Sequence, residues 1–164
     1  SLSFSFYIIK LEPREIEKSI FERDLNAFSE IVFCGYGEPT ERLSDMLSIC
    51  KKIRERSDIK IRVNTNGHSD LINSRDTSAE FKGLVDVVSI SLNTSDAGEY
   101  ERMCVPEFGK EAHAALIRFA ENVKKYVGEV VLSVVDTTIP KEDIEKCRKI
   151  AENIGVSFRL REYI

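Results

Sequence analysis

The chain has 164 residues, 42% of them hydrophobic and 32% charged: enough for one self-sufficient core, which at this size buries about two thirds of the unfolded surface, and too few for two full domains. With 24 basic against 28 acidic residues the formal charge is −4, which gives no overall attraction to nucleic acid or to an anionic membrane. No apolar run approaches the roughly 20 residues that span a bilayer, and no charged-then-apolar leader opens the chain.

The opening segment, Ser1 to Ile9, alternates polar and apolar residues like a strand, and the chain has no starting Met. It reads as the middle of an element, so a truncated or processed chain is expected, with residues 1–10 as an extended N-terminal segment. Pro13 at a first-turn position, followed by Ile16, Ile20, Phe21, Leu25 and Phe28, predicts a first helix. Short apolar or β-branched runs then predict five strands: Glu30–Cys34, Ile59–Asn64, Asp86–Ser91, Glu129–Val135 and Val156–Leu160. Between them, 3- and 4-residue spacing predicts helices on Leu43, Met46, Leu47, Cys50 and Ile53, then on Ala112, Leu116, Phe119, Ala120 and Val123. A last helix carries Ile144, Cys147, Ile150, Ala151 and Ile154, and ends before Gly155. Ser69 to Gly83 is weaker: Leu71-Ile72 and Phe81 flank an irregular loop around Asn73–Asp76.

No repeat, low-complexity tract or Gly/Ser/Pro-rich linker divides the chain, so residues 11–164 form one series of βα units. Strands alternating with helices imply a parallel sheet with right-handed crossovers, either doubly wound or part of a (βα) barrel. In both, ligands sit at the carboxyl ends of the strands. Those ends are polar here: Cys34-Gly35-Tyr36-Gly37-Glu38-Pro39-Thr40, Asn64-Thr65-Asn66-Gly67-His68, Ser91-Leu92-Asn93-Thr94 and Asp136-Thr137-Thr138. Convergent amides, hydroxyls and carboxylates suit a small polar ligand.

Gly35 and Gly37 let backbone approach a ligand, and Pro39 biases Glu38 toward an extended conformation. Two readings of this turn stand together: Glu38 presents a carboxylate to a ligand ammonium, or it caps the helix that follows. Asn66-Gly67 is likewise either a ligand contact or a common turn signal. A phosphate site is disfavoured, because the third glycine of a dinucleotide fingerprint and the lysine of a P-loop are both missing. Cys34, Cys50, Cys104 and Cys147 have no C-x-x-C spacing, so neither zinc nor an iron–sulfur cluster is expected on this chain, and free thiols in a reducing cytoplasm are. Cys34 reads as a buried small hydrophobe and Cys104 as a packed thiol in a loop, with a substrate-facing role as its alternative. His68 reads as a solvated loop histidine or a neutral-pH acid or base; His113 reads as structural. Arg62, Arg159 and Arg161 alternate along strands, toward an anionic substrate, in barrel salt bridges or at exposed edge positions. Two histidines without H-x-H or H-E-x-x-H spacing disfavour a metal-dependent hydrolase.

Through Gly35-Tyr36-Gly37-Glu38-Pro39, Val63-Asn64-Thr65-Asn66-Gly67 and Val88–Asn93, in that order, the sequence resembles the radical S-adenosylmethionine superfamily, and within it the TatD-associated radical SAM proteins. The resemblance runs from about Glu30 to Tyr163, and includes Leu71–Asp76 and Tyr100–Pro106. It implies a partial (βα) TIM-like barrel of about five parallel strands lacking the first strand. It also implies an S-adenosylmethionine site at Gly35, Tyr36, Gly37 and Glu38 around the methionine end, with Asn64, Ser91 and Asn93 toward the carboxylate or ribose, Asn66 as a further cofactor-binding residue and Asp136 closing the site near the adenosine or substrate. The superfamily's C-x-x-x-C-x-x-C loop, which holds a [4Fe-4S] cluster, is missing from this chain. The resemblance therefore implies an intact parent enzyme that cleaves S-adenosylmethionine reductively to a 5'-deoxyadenosyl radical acting on an unknown substrate. The fragment itself is expected to bind no cofactor and to be inactive. A functional link to a TatD-type nuclease follows from family association alone. The alternative is a non-catalytic nucleoside- or peptide-binding domain that has lost the cluster.

Overall fold

The computed structural model describes residues 3–7, 12–35 and 37–162. Six parallel strands form one sheet: β1 (Ser3–Tyr7), β2 (Glu30–Cys34), β3 (Lys60–Thr65), β4 (Val87–Ser91), β5 (Glu129–Val135) and β6 (Ser157–Arg161). The order in space is the order in sequence, β1 to β6. This separates the two architectures left open by pattern alone. A doubly wound sheet reverses its strand order at a switch point, whereas right-handed crossovers that advance without reversal put every helix on the same face and curl the sheet into a barrel. The protein is α/β, a partial TIM-like (βα) barrel. The expected five strands are β2 to β6, and the opening segment, which alternates like a strand, makes a sixth by pairing parallel to β2, Ser3 opposite Glu30 and Tyr7 opposite Cys34.

The helices are α1 (Pro13–Phe21), α2 (Leu43–Arg54), α3 (Ser69–Asn73), α4 (Ala97–Cys104), α5 (Glu111–Val123) and α6 (Lys141–Ile154). Their apolar stripes and the convex sheet face share one core: Ile16 and Ile20, Met46 and Ile49, Leu116 and Phe119, and Ile144 lie against Ile31, Phe33, Ile61, Val63, Val88, Ile90, Leu132 and Val134. Each such side chain, fully buried, contributes about 1.5–3 kcal/mol. The alternate strand residues point to the concave face and are largely polar. Register sets them in rows, with Asn64 opposite Ser89, and Ser91, Ser133 and Arg159 in line across β4, β5 and β6.

Two expectations are corrected and one is filled in. The first helix stops at Phe21, and Leu25–Ala27 forms a separate 3-10 turn because the Asp24 side chain accepts from Asn26 N and caps it. The flanks of the loop expected between Ser69 and Gly83 are ordered: Leu71 and Ile72 lie in α3, and Phe81 is buried in a 3-10 turn, Ser78–Phe81, with residues 74–77 as the irregular stretch between them. Cys104 is not in a loop but ends α4, a helix started by the Asp96 side chain accepting from Glu99 N. No helix of the described residues is long and apolar enough to cross a membrane.

Candidate functional site at the carboxyl rim of the sheet

β2 delivers the chain into the turn Gly35 to Glu38, with Gly37 at φ 122°, a conformation that favours glycine. Glu38 follows in an extended conformation, as the residue before proline must, and Pro39 opens a 3-10 turn, Pro39–Arg42, ahead of α2. The Glu38 carboxylate is buried at 8% exposure. Its Oε1 accepts from Thr40 N (3.0 Å), Thr40 Oγ1 (2.8 Å) and Thr65 Oγ1 (2.6 Å), and its Oε2 accepts from Asn66 N at 2.7 Å. Of the two readings of this residue, capping is thus realised, and it goes further than one helix: Glu38 ties the end of β2 to the end of β3. One carboxylate has about four lone-pair sites. Oε1 is saturated, and Oε2, with a single donor, is the oxygen left able to meet a ligand.

The β3 end is equally well built. Thr65 Oγ1 accepts from Gly67 N at 3.0 Å, and Asn66 Oδ1 accepts from His68 N at 2.9 Å. Gly67 has φ +82°, and a Cβ there would lie 2.7 Å from Leu116 Cβ and 2.8 Å from Ile90 Cγ2. The Asn66-Gly67 turn is therefore fixed by close packing on α5 as well as by backbone conformation.

Of the residues named from sequence, Gly35, Gly37, Glu38, Asn64, Asn66 and Ser91 come together around one cavity of about 490 Å³, with Cys34, Glu41 and Thr65 completing its wall. Tyr36 lies outside the described residues. Asn93, at φ 65°, instead opens onto a neighbouring cavity and donates its amide to Cys104 Sγ at 3.3 Å. Asp136 lies apart from both, accepting from Thr137 N at 2.8 Å in the turn after β5. Among the described residues the side chains of Asn64 and Ser91 make no hydrogen bond, so both remain able to receive a ligand.

The neighbouring cavity, about 300 Å³, is walled by His68, Asn93, Tyr100, Cys104 and Phe108 and shares Glu41 and Asn66 with the first. His68 is corrected from a solvated loop residue to a buried one, 4% exposed. Its Nε2 meets the Tyr100 hydroxyl at 3.2 Å, and burial pushes its pKa down against the opposing pull of the Ala112 carbonyl. It is a neutral imidazole at neutral pH. His113 is structural as expected, its Nε2 lying 2.9 Å from the Thr94 carbonyl. Cys34 is corrected from a packed hydrophobe to a half-buried thiol on the cavity wall. Thr40, Thr65 and Tyr100 escaped the sequence reading, although Tyr100 lies one helical turn before Cys104 and that spacing places both on one face.

Below the rim, the concave face carries Arg62, Arg159 and Arg161 around a further cavity of about 230 Å³ that also reaches Asn64 and Ser91. Arg62 is paired there with Glu30, Nη2 to Oε2 at 3.0 Å, which is the barrel salt bridge anticipated for it.

No protein-family model and no curated protein sequence matches the chain. Solved structures do. SuiB of Streptococcus suis bound to S-adenosylmethionine superposes with a TM-score of 0.69 and 17% identity, over 99% of this chain and 38% of SuiB. SuiB bound to the precursor peptide SuiA gives 0.66 and 15%, over 94% of this chain and 33% of SuiB. The chain spans little more than a third of SuiB, and the likeness is one of fold.

Proposed function

We propose that this chain is the S-adenosylmethionine-binding core of a radical SAM enzyme, with the cofactor seated in the rim cavity at the ends of β2, β3 and β4. The observation that carries the reading is that cavity: a carboxylate with one open oxygen, a glycine-lined turn, and the unpaired Asn64 and Ser91 side chains, on a fold shared with a protein solved with S-adenosylmethionine. An ammonium suits Glu38 Oε2 and the bare backbone at Gly35 and Gly37; a carboxylate and ribose hydroxyls suit amide and hydroxyl groups. Asn93 and Asp136, which stand apart from this cavity, join the site only as later contacts of a larger ligand.

The [4Fe-4S] cluster does not fit the residues present. Among the described residues no three His, Cys, Asp or Glu side chains group as metal ligands. Cys50 and Cys147 lie in the core, where burial pushes each thiol up to about 12, away from the thiolate that ligates iron. Reductive cleavage by the parent would need cluster ligands from elsewhere. The second reading is a nucleoside- or peptide-binding domain without a cluster, for which the same rim cavity offers amide, hydroxyl and backbone partners. A TatD-type nuclease partner rests on the resemblance alone.

Isothermal titration of the chain with S-adenosylmethionine decides between them. Binding that falls about tenfold in Asn64→Ala, the loss of roughly one hydrogen bond to a charged group, is the expected result. Absence of heat with S-adenosylmethionine but binding of adenosine would sink the first reading in favour of the second.

A further inference from the structure

The lumen cavity below the rim gathers cations without anions to match them. Arg62, Arg159 and Arg161 stand in its wall against a single carboxylate, Glu30. That carboxylate is committed: Glu30 Oε2 accepts from Arg62 Nε at 3.1 Å and pairs with Arg62 Nη2 at 3.0 Å. Arg159 and Arg161 make no hydrogen bond or ion pair among the described residues, and both are open to solvent. Two unmatched positive charges therefore face one cavity in a chain whose formal charge is −4, so the excess is local to the lumen.

The strand itself positions the pair. Residues two apart on a strand share a face, so the backbones of Arg159 and Arg161 stand about 6.6 Å apart on the concave side of β6. Register sets Arg159 level with Ser133 on β5 and Ser91 on β4, at steps of about 4.8 Å across the sheet. Ser91 and Asn64, whose side chains are unbonded, belong to the rim cavity as well as to this one. Exposed arginines on a strand are ordinarily just solvated. Here a cavity, a missing counter-ion and a row of hydroxyls coincide. Such a wall repels a cation, offers an apolar group little, and suits an oxyanion: guanidinium forks donate two parallel N–H bonds to carboxylate or phosphoryl oxygens, and hydroxyls donate to the lone pairs that remain.

We propose that the lumen cavity is the substrate subsite and that Arg159 and Arg161 hold a doubly charged oxyanion of the substrate, a phosphoryl group or a pair of carboxylates. Calling the anion a substrate, and not an effector, rests on the S-adenosylmethionine reading of the rim cavity. The cavity is about 230 Å³, on the order of eight water volumes, which accommodates the charged group and a short stem. Because Asn64 and Ser91 are common to both cavities, the uncharged end of a molecule anchored at the arginines lies against whatever the rim site holds. Two charges, and not one, are called for because Arg62 is already neutralised and both remaining guanidinium groups face the same volume.

Amide chemical shifts of the nitrogen-labelled intact chain, titrated with inorganic phosphate, malonate and acetate, test this. The titrations run at about pH 8, where phosphate is a dianion, with ionic strength held constant by chloride. Phosphate or malonate is expected to shift the amides of Ser133, Arg159 and Arg161 to saturation, and whichever binds tighter assigns the group as phosphoryl or dicarboxylate. Acetate should bind at least about tenfold more weakly, the scale of one lost charge-assisted hydrogen bond. Arg159→Gln and Arg161→Gln, both at exposed positions, should each raise the dissociation constant by about the same factor, and the double variant should not saturate. No saturable shift with either dianion up to about 50 mM, well above the millimolar range of weak sites, overturns the proposal. So do acetate binding as well as the dianions, and an unchanged titration in the double variant. Calorimetric titration with S-adenosylmethionine separates this subsite from the rim site. The double variant should bind the cofactor as wild type does, and a tenfold loss there would give the arginines to the cofactor carboxylate and overturn the substrate assignment. A wild-type chain that binds phosphate at the arginines but no S-adenosylmethionine would sink the rim reading and leave the anion subsite standing.

Discussion

Glu38 shows how one residue can look like a ligand contact and be a fastener first. A carboxylate between a glycine turn and a proline is readable from sequence as either, since the residue type and the extended backbone are common to both. What sequence does not carry is the partner across the sheet: Thr65 and Asn66 lie 27 and 28 residues away, and only the β2–β3 register brings their donors to one oxygen pair. Glu38→Ala strands buried donors on both strands and is expected to cost about 2–4 kcal/mol, because an unsatisfied buried donor costs roughly 1–3 kcal/mol and threonine hydroxyls relieve part of it by rotating. Glu38→Gln keeps Oε1 but turns an amide donor against Asn66 N, for about half that cost. Urea midpoints of the two variants test the ranking, and midpoints unchanged from wild type would show that these bonds do not hold the rim together.

At the scale of elements, the sequence is most informative where an apolar stripe is long. The stripes of α2, α5 and α6 run for three turns or more, and their 3- and 4-residue spacing is visible without any knowledge of what covers them. α4 has two turns and buries only Tyr100, so it has no stripe to read; its start is written instead in Asp96 and Glu99, a capping pair rather than a hydrophobic pattern. The first turn of α6 is tied down in a way no local pattern reveals. Asp143 accepts from Thr94 Oγ1 at 2.8 Å, from Ser95 N at 3.3 Å and from Ser95 Oγ, fastening α6 to the loop after β4. Burial raises the Asp143 pKa, but the bonds from Ser95 and Thr94 together outweigh it, and the net shift is downward. A carboxylate lowered in the folded state stabilises at pH values above its unfolded pKa, and that contribution is lost as pH falls through the folded one. Stability should therefore decline below about pH 4, the ordinary carboxylate range. Asp143→Asn should flatten that acid limb while lowering stability at pH 6. Denaturation midpoints from pH 2.5 to 6 measure both, and an acid limb of unchanged slope would refute the role given to Asp143.

Strand order belongs to the whole molecule, and it is the property that periodicity could not supply: the same βα alternation winds into a doubly wound sheet or a barrel, and only the direction of successive crossovers separates them. The order β1 to β6 leaves every helix on the convex face, so no helix of the described residues packs on the concave face with its serines, Asn64 and arginines. Parallel sheets are usually covered on both faces, and the exception here coincides with the cavities. This predicts a gradient of local stability across the sheet. β4 is hydrogen-bonded on both sides and backed by α5, whereas β6 is paired only with β5 and four of its five residues are exposed. Amides of β4 should exchange with deuterium at rates set by global unfolding, and those of Ser157–Arg161 by local opening, at least about tenfold faster, since edge elements draw on the low-stability end of the molecule. Exchange at β6 as slow as at β4 would mean that a partner or a second copy covers the concave face in solution. The lumen would then not be open to a ligand through that side, and the cavity lined by Arg62, Arg159 and Arg161 would be part of an interface and not of a binding site.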